Sequence, residues 1–198
     1  MGSKERCMTK VISKRRGVNV TKTEHKLVMK MTKKAVRELC KKEYEFPEFI
    51  KSDNCWIEVA TKNRGQASYG SSLGIIIDVS GFRKKSTFLS EYSSYAKDPL
   101  IGDAITDDPE VVLFAIVCHE VAHWAQMNSR LARKMKRYKD SFRKPHGRCF
   151  QSIYKYLRIA LVNPLVKKKE KTVEELVGRE NLNLMNKVGE LKYASSQK

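Results

Sequence analysis

Apolar residues return at every third or fourth position from Thr21 to about Glu43. Val28, Met31, Ala35 and Leu39 trace a single helical stripe, and lysines and arginines fill the other faces. Pro47 lies just beyond and helps to stop this helix. Before it, residues 1–20 are basic, polar and aperiodic, and read as a flexible arm. After it the period changes to two. Cys55–Ala60 alternates and is rich in strand formers, and Asn63-Arg64-Gly65 is turn chemistry. Gln66–Tyr69 fits a short second strand, Gly70-Ser71-Ser72 a second turn, and Gly74–Ser80 a strand buried on at least one face. The pattern predicts a small antiparallel meander of about three strands.

Residues 81–107 read as an irregular connection, long enough that a functional role is worth considering. The clearest helix follows. Asp107 or Asp108 suits its N-cap and Pro109 its first turn, and it runs through Val111, Phe114, Val117, Val121 and Trp124 to about Met127. A basic stretch from Arg130 to Lys144 leads to Pro145-His146-Gly147. Residues 147–162 then form a second amphipathic helix, with Phe150, Ile153, Tyr154, Leu157 and Leu161 on one side, ended by Asn163-Pro164. Residues 164–198 are a charged tail with weak helical patterning. The expected fold is therefore α+β: an arm (1–20), one domain (21–163) and a tail.

Composition narrows the class. At 41% hydrophobic and 31% charged, the 198 residues suit one globular domain with solvated extensions. The longest apolar run, Val111 to Cys118, is too short to span a bilayer, and no apolar leader follows Met1. The five cysteines are scattered, odd in number and without a C-x-x-C pair, so reduced thiols and an intracellular setting are expected, and a cysteine zinc ribbon is excluded. The net charge of +18 is blocky. Residues 1–42 carry 14 basic and 3 acidic side chains, and residues 129–169 carry 14 and 1. Residues 43–128 are acidic, with 7 and 13, and the last 29 residues balance at 5 and 5. Two such basic segments attract polyanions, so DNA or another nucleic acid is an expected partner.

The chemistry lies in His119-Glu120-Val121-Ala122-His123, the H-E-x-x-H pattern. Side chains four apart share one face of a helix, so both imidazoles can reach one zinc ion. Glu120, one residue along, can lie near the same ion as general base. Such an ion brings the pKa of water toward 7 and polarises a carbonyl. Burying this face in an apolar helix is costly unless a metal compensates it. A third ligand is required. His146, 23 residues after His123 and at the mouth of the next helix, is favoured over His25 on the basic helix and Glu170 in the tail.

His119-Glu120-Val121-Ala122-His123, a basic interval, and His146-Gly147 followed by Phe150 resemble the SprT-like metallopeptidases, which include the Spartan proteases. The resemblance covers roughly residues 25–162 and includes the order of elements. It implies His119, His123 and His146 as zinc ligands, Glu120 as catalytic base and Phe150 as a packing residue. It also implies a zinc metalloendopeptidase acting on proteins on or near nucleic acid. The chain departs from bacterial SprT proteins in lacking their cysteine zinc ribbon, and its small size would also suit a virus-encoded protein.

Among other residues, Cys118, Cys149, Trp56 and Trp124 read first as core. Tyr92 or Tyr95 could serve an oxyanion, and Asn63 and Arg64 could hold an extended substrate. The alternative function is a basic nucleic-acid-binding module with a structural zinc and no hydrolysis.

Overall fold

In a computed structural model, residues 12–16, 19–41, 56–61, 68–80, 108–128 and 144–166 are described, the first of these by backbone alone. The elements are β1 (Ile12–Arg16), α1 (Lys22–Cys40), β2 (Trp56–Ala60), β3 (Tyr69–Gly70), β4 (Gly74–Asp78), α2 (Pro109–Asn128) and α3 (Arg148–Leu157), the last followed by a π-helical turn, Arg158–Val162. The fold is α+β, as the patterning predicts. The chain divides into two compact units, Met1–Asn163 and Pro164–Lys198.

Thr21 starts α1 through a capping box. Its hydroxyl accepts the Glu24 N–H at 3.1 Å, and the Glu24 carboxylate accepts the Thr21 N–H at 2.8 Å. The predicted stripe of Val28, Met31, Ala35 and Leu39 is buried, joined by Val36. At the far end of α1, the Tyr156 hydroxyl of α3 donates to the Glu38 carboxylate at 3.1 Å.

The sheet departs from the expected meander in order and direction. Its strands lie in the order β1-β2-β4-β3. β1 and β2 are parallel, β2 and β4 are parallel, and only β3 and β4 are antiparallel. The physical reason lies in β4. Ile75, Ile76 and Ile77 are all buried, so this strand needs cover on both faces and takes an interior position. The short β3 moves to the outer edge and leaves β2 beside β4. The arm also contributes: Ile12–Arg16 is a strand rather than loose chain, and its backbone bonds to β2.

α2 is apolar on nearly every side, the signature of a central helix. It packs on α1, α3, β3 and β4. Asp108 accepts the Glu110 N–H at 2.8 Å just before Pro109, fixing the start of the helix. At its other end, Asn128 donates to the Ser72 carbonyl at 3.0 Å and so ties down the tip of the β3–β4 hairpin.

α3 buries Cys149, Phe150, Ile153, Tyr154 and Leu157. Helical backbone continues through 163–166, so Asn163-Pro164 does not end it as expected. Pro164 has no N–H to offer the carbonyl four residues back, and its ring crowds that carbonyl. The widened turn at Arg158–Val162 makes room: Asn163 N–H bonds to the Arg158 carbonyl, five residues back. Pro47, the Asn63–Gly65 turn, residues 81–107, the basic stretch 129–143 and the tail from Lys167 lie outside the described residues. Among the described residues, no helix is long and apolar enough to cross a membrane.

The burial pattern sets the cost of core truncation. Ile77→Ala, at a fully buried position, should lower the unfolding free energy by about 2–5 kcal/mol in urea titration. Leu73→Ala, 68% exposed at the hairpin tip, should change it by no more than about 0.5 kcal/mol. Equal costs would contradict the interior position of β4.

Candidate metal centre

His119 and His123 stand one helical turn apart on α2, so their side chains rise from the same face. His146 reaches them from the turn before α3. In that turn Gly147 N–H bonds to the Lys144 carbonyl at 3.0 Å, Pro145 takes the second position and His146 the third. His146 has φ 58°, the left-handed region that the third position of a type II turn requires. For a residue with a Cβ this costs roughly 1 kcal/mol, and neighbours must hold it in place. Two glutamines do so. Gln126 of α2, only 1% exposed, donates to the Lys144 carbonyl at 3.1 Å. Gln151 of α3 donates to the carbonyl of His146 itself at 3.0 Å. Gln126 lies on α2 three residues after His123, so its bond ties the turn to the helix that carries the other two histidines.

The three Nε2 atoms converge. His119 and His123 are 3.2 Å apart, His123 and His146 3.1 Å, and His146 and His119 3.2 Å. These contacts cannot all be hydrogen bonds. A neutral imidazole Nε2 either carries a proton and donates or bears a lone pair and accepts. Three such atoms in a triangle always leave at least one pair in like roles. A single cation facing three lone pairs removes the conflict.

The electrostatics favour the lone-pair form. Burial, with help from the charges of the other two histidines, brings the His119 pKa down to about 3. Burial and then His146 bring His123 to about 4, partly offset by the nearby polar side chain of Gln126. Burial also lowers His146. At neutral pH all three are uncharged, the state in which imidazole binds metals. His119, His123 and His146 therefore lie close enough, and in the right state, to hold a metal ion.

Phe150 is the floor of the site. It is fully buried and touches all three imidazoles: stacked on His123 with centroids 4.2 Å apart, and edge-on to His119 and His146 at 4.9 Å each. Tyr154, one turn on, meets His119 at 5.1 Å. Glu120 is 6% exposed, and burial raises its pKa to about 8 despite a hydrogen bond from the Gly70 N–H. Gly70 is needed for that approach. A Cβ there would overlap the Glu120 carbonyl oxygen and come within 2.8 Å of the His123 Cβ. Edge strand β3 thus lies directly against the motif helix.

Of the predicted site residues, the structure brings together His119, His123 and His146, with Glu120 next to His119 in sequence on the same helix. His25 lies on α1, outside this cluster. Trp124, Cys118 and Cys149 are core residues, and burial raises the Cys118 thiol well above its ordinary range. Glu170, Tyr92, Tyr95, Asn63 and Arg64 lie outside the described residues. Sequence reasoning missed Gln126, Gln151 and Gly70. Gln126 carried a signal, as a polar residue on the apolar motif helix three positions after His123. No family model matches the chain, and neither a curated protein nor a solved structure matches it.

The bond of buried Gln126 to the Lys144 carbonyl in the His146 turn makes it a positioning residue. Gln126→Ala should leave the far-ultraviolet circular dichroism unchanged yet weaken zinc or cobalt affinity about 10–100-fold, read by competition with a chromophoric chelator. Unchanged affinity would remove Gln126 from any role in positioning the ligands.

Burial of the histidines and of Glu120 also makes the metal-free protein sensitive to pH, in opposite senses. The histidines are depressed, so their contribution to stability is complete above about pH 6.5 and is lost as pH falls toward 4 and 3. Glu120 is raised, so its contribution is complete below about pH 4.5 and is lost as pH rises through about 8. Glu120→Gln should therefore stabilise the metal-free protein at pH 8 by on the order of 2–4 kcal/mol and change little at pH 4.5. Thermal denaturation at the two pH values reads the difference, and a pH-independent effect would contradict the burial of a titrating carboxyl.

Proposed function

We propose that the chain is a zinc-dependent metalloendopeptidase of the SprT-like kind, acting on proteins on or near nucleic acid. The observation that carries this reading is the triangle of three neutral Nε2 atoms beside a buried glutamate on one helix. Zinc fits the triangle. With edges of 3.1–3.2 Å, its corners lie about 1.8 Å from its centre, close to the about 2.0–2.1 Å of a Zn–N bond, so His119, His123 and His146 would hold such an ion. Three histidines with one position left open are also a catalytic ligand count, where structural sites use four protein ligands.

When bound, the ion supplies Lewis acidity toward a carbonyl and toward water. The chain's own groups do the rest. Glu120 takes a proton from water and returns it to the leaving amine. In the absence of metal, burial raises its pKa to about 8, so its role as base depends on a nearby cation favouring the carboxylate. The Gly70 N–H holds the carboxyl on the side of β3. Phe150 and the surrounding core keep the histidines in place and out of bulk water. β3 is a sheet edge, the kind of place where an extended polypeptide can align.

A second reading has its own support. The net charge of +18, concentrated in blocks, would serve a nucleic-acid-binding module in which zinc is structural. Glu120 separates the two, because a structural site has no use for a base. Purified protein should contain about one zinc per chain, and His146→Ala should lose it, by elemental mass spectrometry. Glu120→Gln should keep the zinc and lose cleavage of an unfolded protein substrate by about 10²–10⁴-fold. Zinc-loaded wild type that cleaves nothing, alone or with DNA, would favour the module. Wild type without zinc would defeat both readings.

A further inference from the structure

Among the described residues, one face of α1 is exposed and cationic. At about 100° per residue, its lysines and Arg37 fall within a sector of roughly 120° opposite the buried stripe. Lys22, Lys26, Lys30, Lys33 and Arg37 are all exposed, and among the described residues none of them makes an ion pair. The two acidic residues of the helix are committed elsewhere. Glu24 closes the capping box, and Glu38 pairs with Lys41 at 2.7 Å and accepts from Tyr156. A cavity of about 570 Å³ runs along this face, with His25, Lys26, Met29, Lys30 and Arg37 in its lining.

A surface built for solubility mixes signs. Here like charges sit three and four apart, where each pair opposes the helix by about 0.2–0.5 kcal/mol. We infer that this face of α1 docks the phosphate backbone of a nucleic acid. From Lys26 to Arg37 the cations recur every ~4.5–6 Å along the helix axis, a row suited to a line of phosphates spaced about 3.4 Å apart per strand. A lipid surface fits less well. A helix lying on a membrane backs its cations with exposed large apolar residues, whereas the apolar stripe of α1 is buried in the core. The row contains no aromatic residue for stacking on bases and no amide side chain, so it reads charge and not sequence. This inference rests on the nucleic-acid part of the proposed function and not on hydrolysis.

The test uses the full chain and fluorescein-labelled 20-mers of duplex DNA, single-stranded DNA and RNA, with anisotropy measured from 50 to 200 mM salt. The variant Lys26→Gln/Lys30→Gln/Lys33→Gln/Arg37→Gln is compared with Lys171→Gln/Lys187→Gln/Lys192→Gln/Lys198→Gln, which removes the same charge from the balanced C-terminal segment. The α1 variant should bind at least tenfold more weakly at 100 mM salt, and the slope of log K against log salt should fall by about 3–4. The C-terminal variant should bind like wild type. Replacing the three lysines by arginine should preserve binding, which a loss of fold would not allow. Equal weakening in both variants would reduce the effect to net charge and overturn the inference, as would wild-type binding by the α1 variant. Binding of vesicles with 30% phosphatidylserine through the α1 row, without binding of any nucleic acid, would assign the face to membranes instead. Anisotropy requires neither zinc nor cleavage, so an inactive protein that still binds through α1 would separate failure of the peptidase reading from failure of this one.

Discussion

The structure turns on placing a row of polar side chains inside an apolar helix. α2 is buried on nearly all sides, yet it carries His119, Glu120, His123 and Gln126 through the same core. In a low dielectric each of these groups must either find a partner or give up its charge. The histidines become neutral and turn their lone pairs to one point. Gln126 donates from its amide to the Lys144 carbonyl. Glu120 takes an N–H from the edge strand and still prefers its proton. The aromatic floor, the short β3 and the left-handed turn at His146 all serve to hold this row in place.

The helices and the His119–His123 pair were legible in the sequence because each rests on local geometry. The 3.6-residue period of α1 and the Asp108-Pro109 start of α2 need only neighbouring residues, and so does the stacking of His119 over His123. Strand order was not legible. Alternation in Trp56–Ala60 and the apolar run Ile75–Ile77 mark strands, but whether β3 sits between them or outside is decided by what covers β4. The capacity of Ile12–Arg16 to pair with β2 was also hidden, because a parallel strand takes its partner from across the fold and a basic composition says nothing against it. Pro164 shows the limit of a local rule. Proline normally ends a helix, and here a wider turn absorbs the missing N–H.

Within the site, chemistry-bearing residues were easier to find than those that position them. A histidine pair at helical spacing is rare enough to stand out, and so is a third histidine flanked by proline and glycine. A buried glutamine and a strand glycine are ordinary until the distances are known. Pro145-His146 did mark a turn, but only the positive φ shows that His146 occupies a place usually left to glycine. The cost of that backbone is set by the turn and offset by bonds from α2 and α3. The third histidine is thus held at the triangle before any ion arrives, which reduces the ordering that binding must supply.

A chain with a net charge of +18 should repel a divalent cation, so an ion at the three histidines would have to bind against the field of its own protein. Two features make that workable. The imidazoles are uncharged at neutral pH, so metal binding does not have to displace protons from them. Apart from Lys34, whose ammonium sits 5.4 Å from the Phe114 ring of α2, the exposed cations of α1 point away from the core, with about 10 Å of helix between them and α2. At physiological ionic strength the screening length is about 8 Å, so their field fades across that distance on the solvent side. A phosphate backbone in contact with the row would meet those charges at full strength. Burial and screening together let one small domain combine an uncharged histidine cluster with a polycationic face.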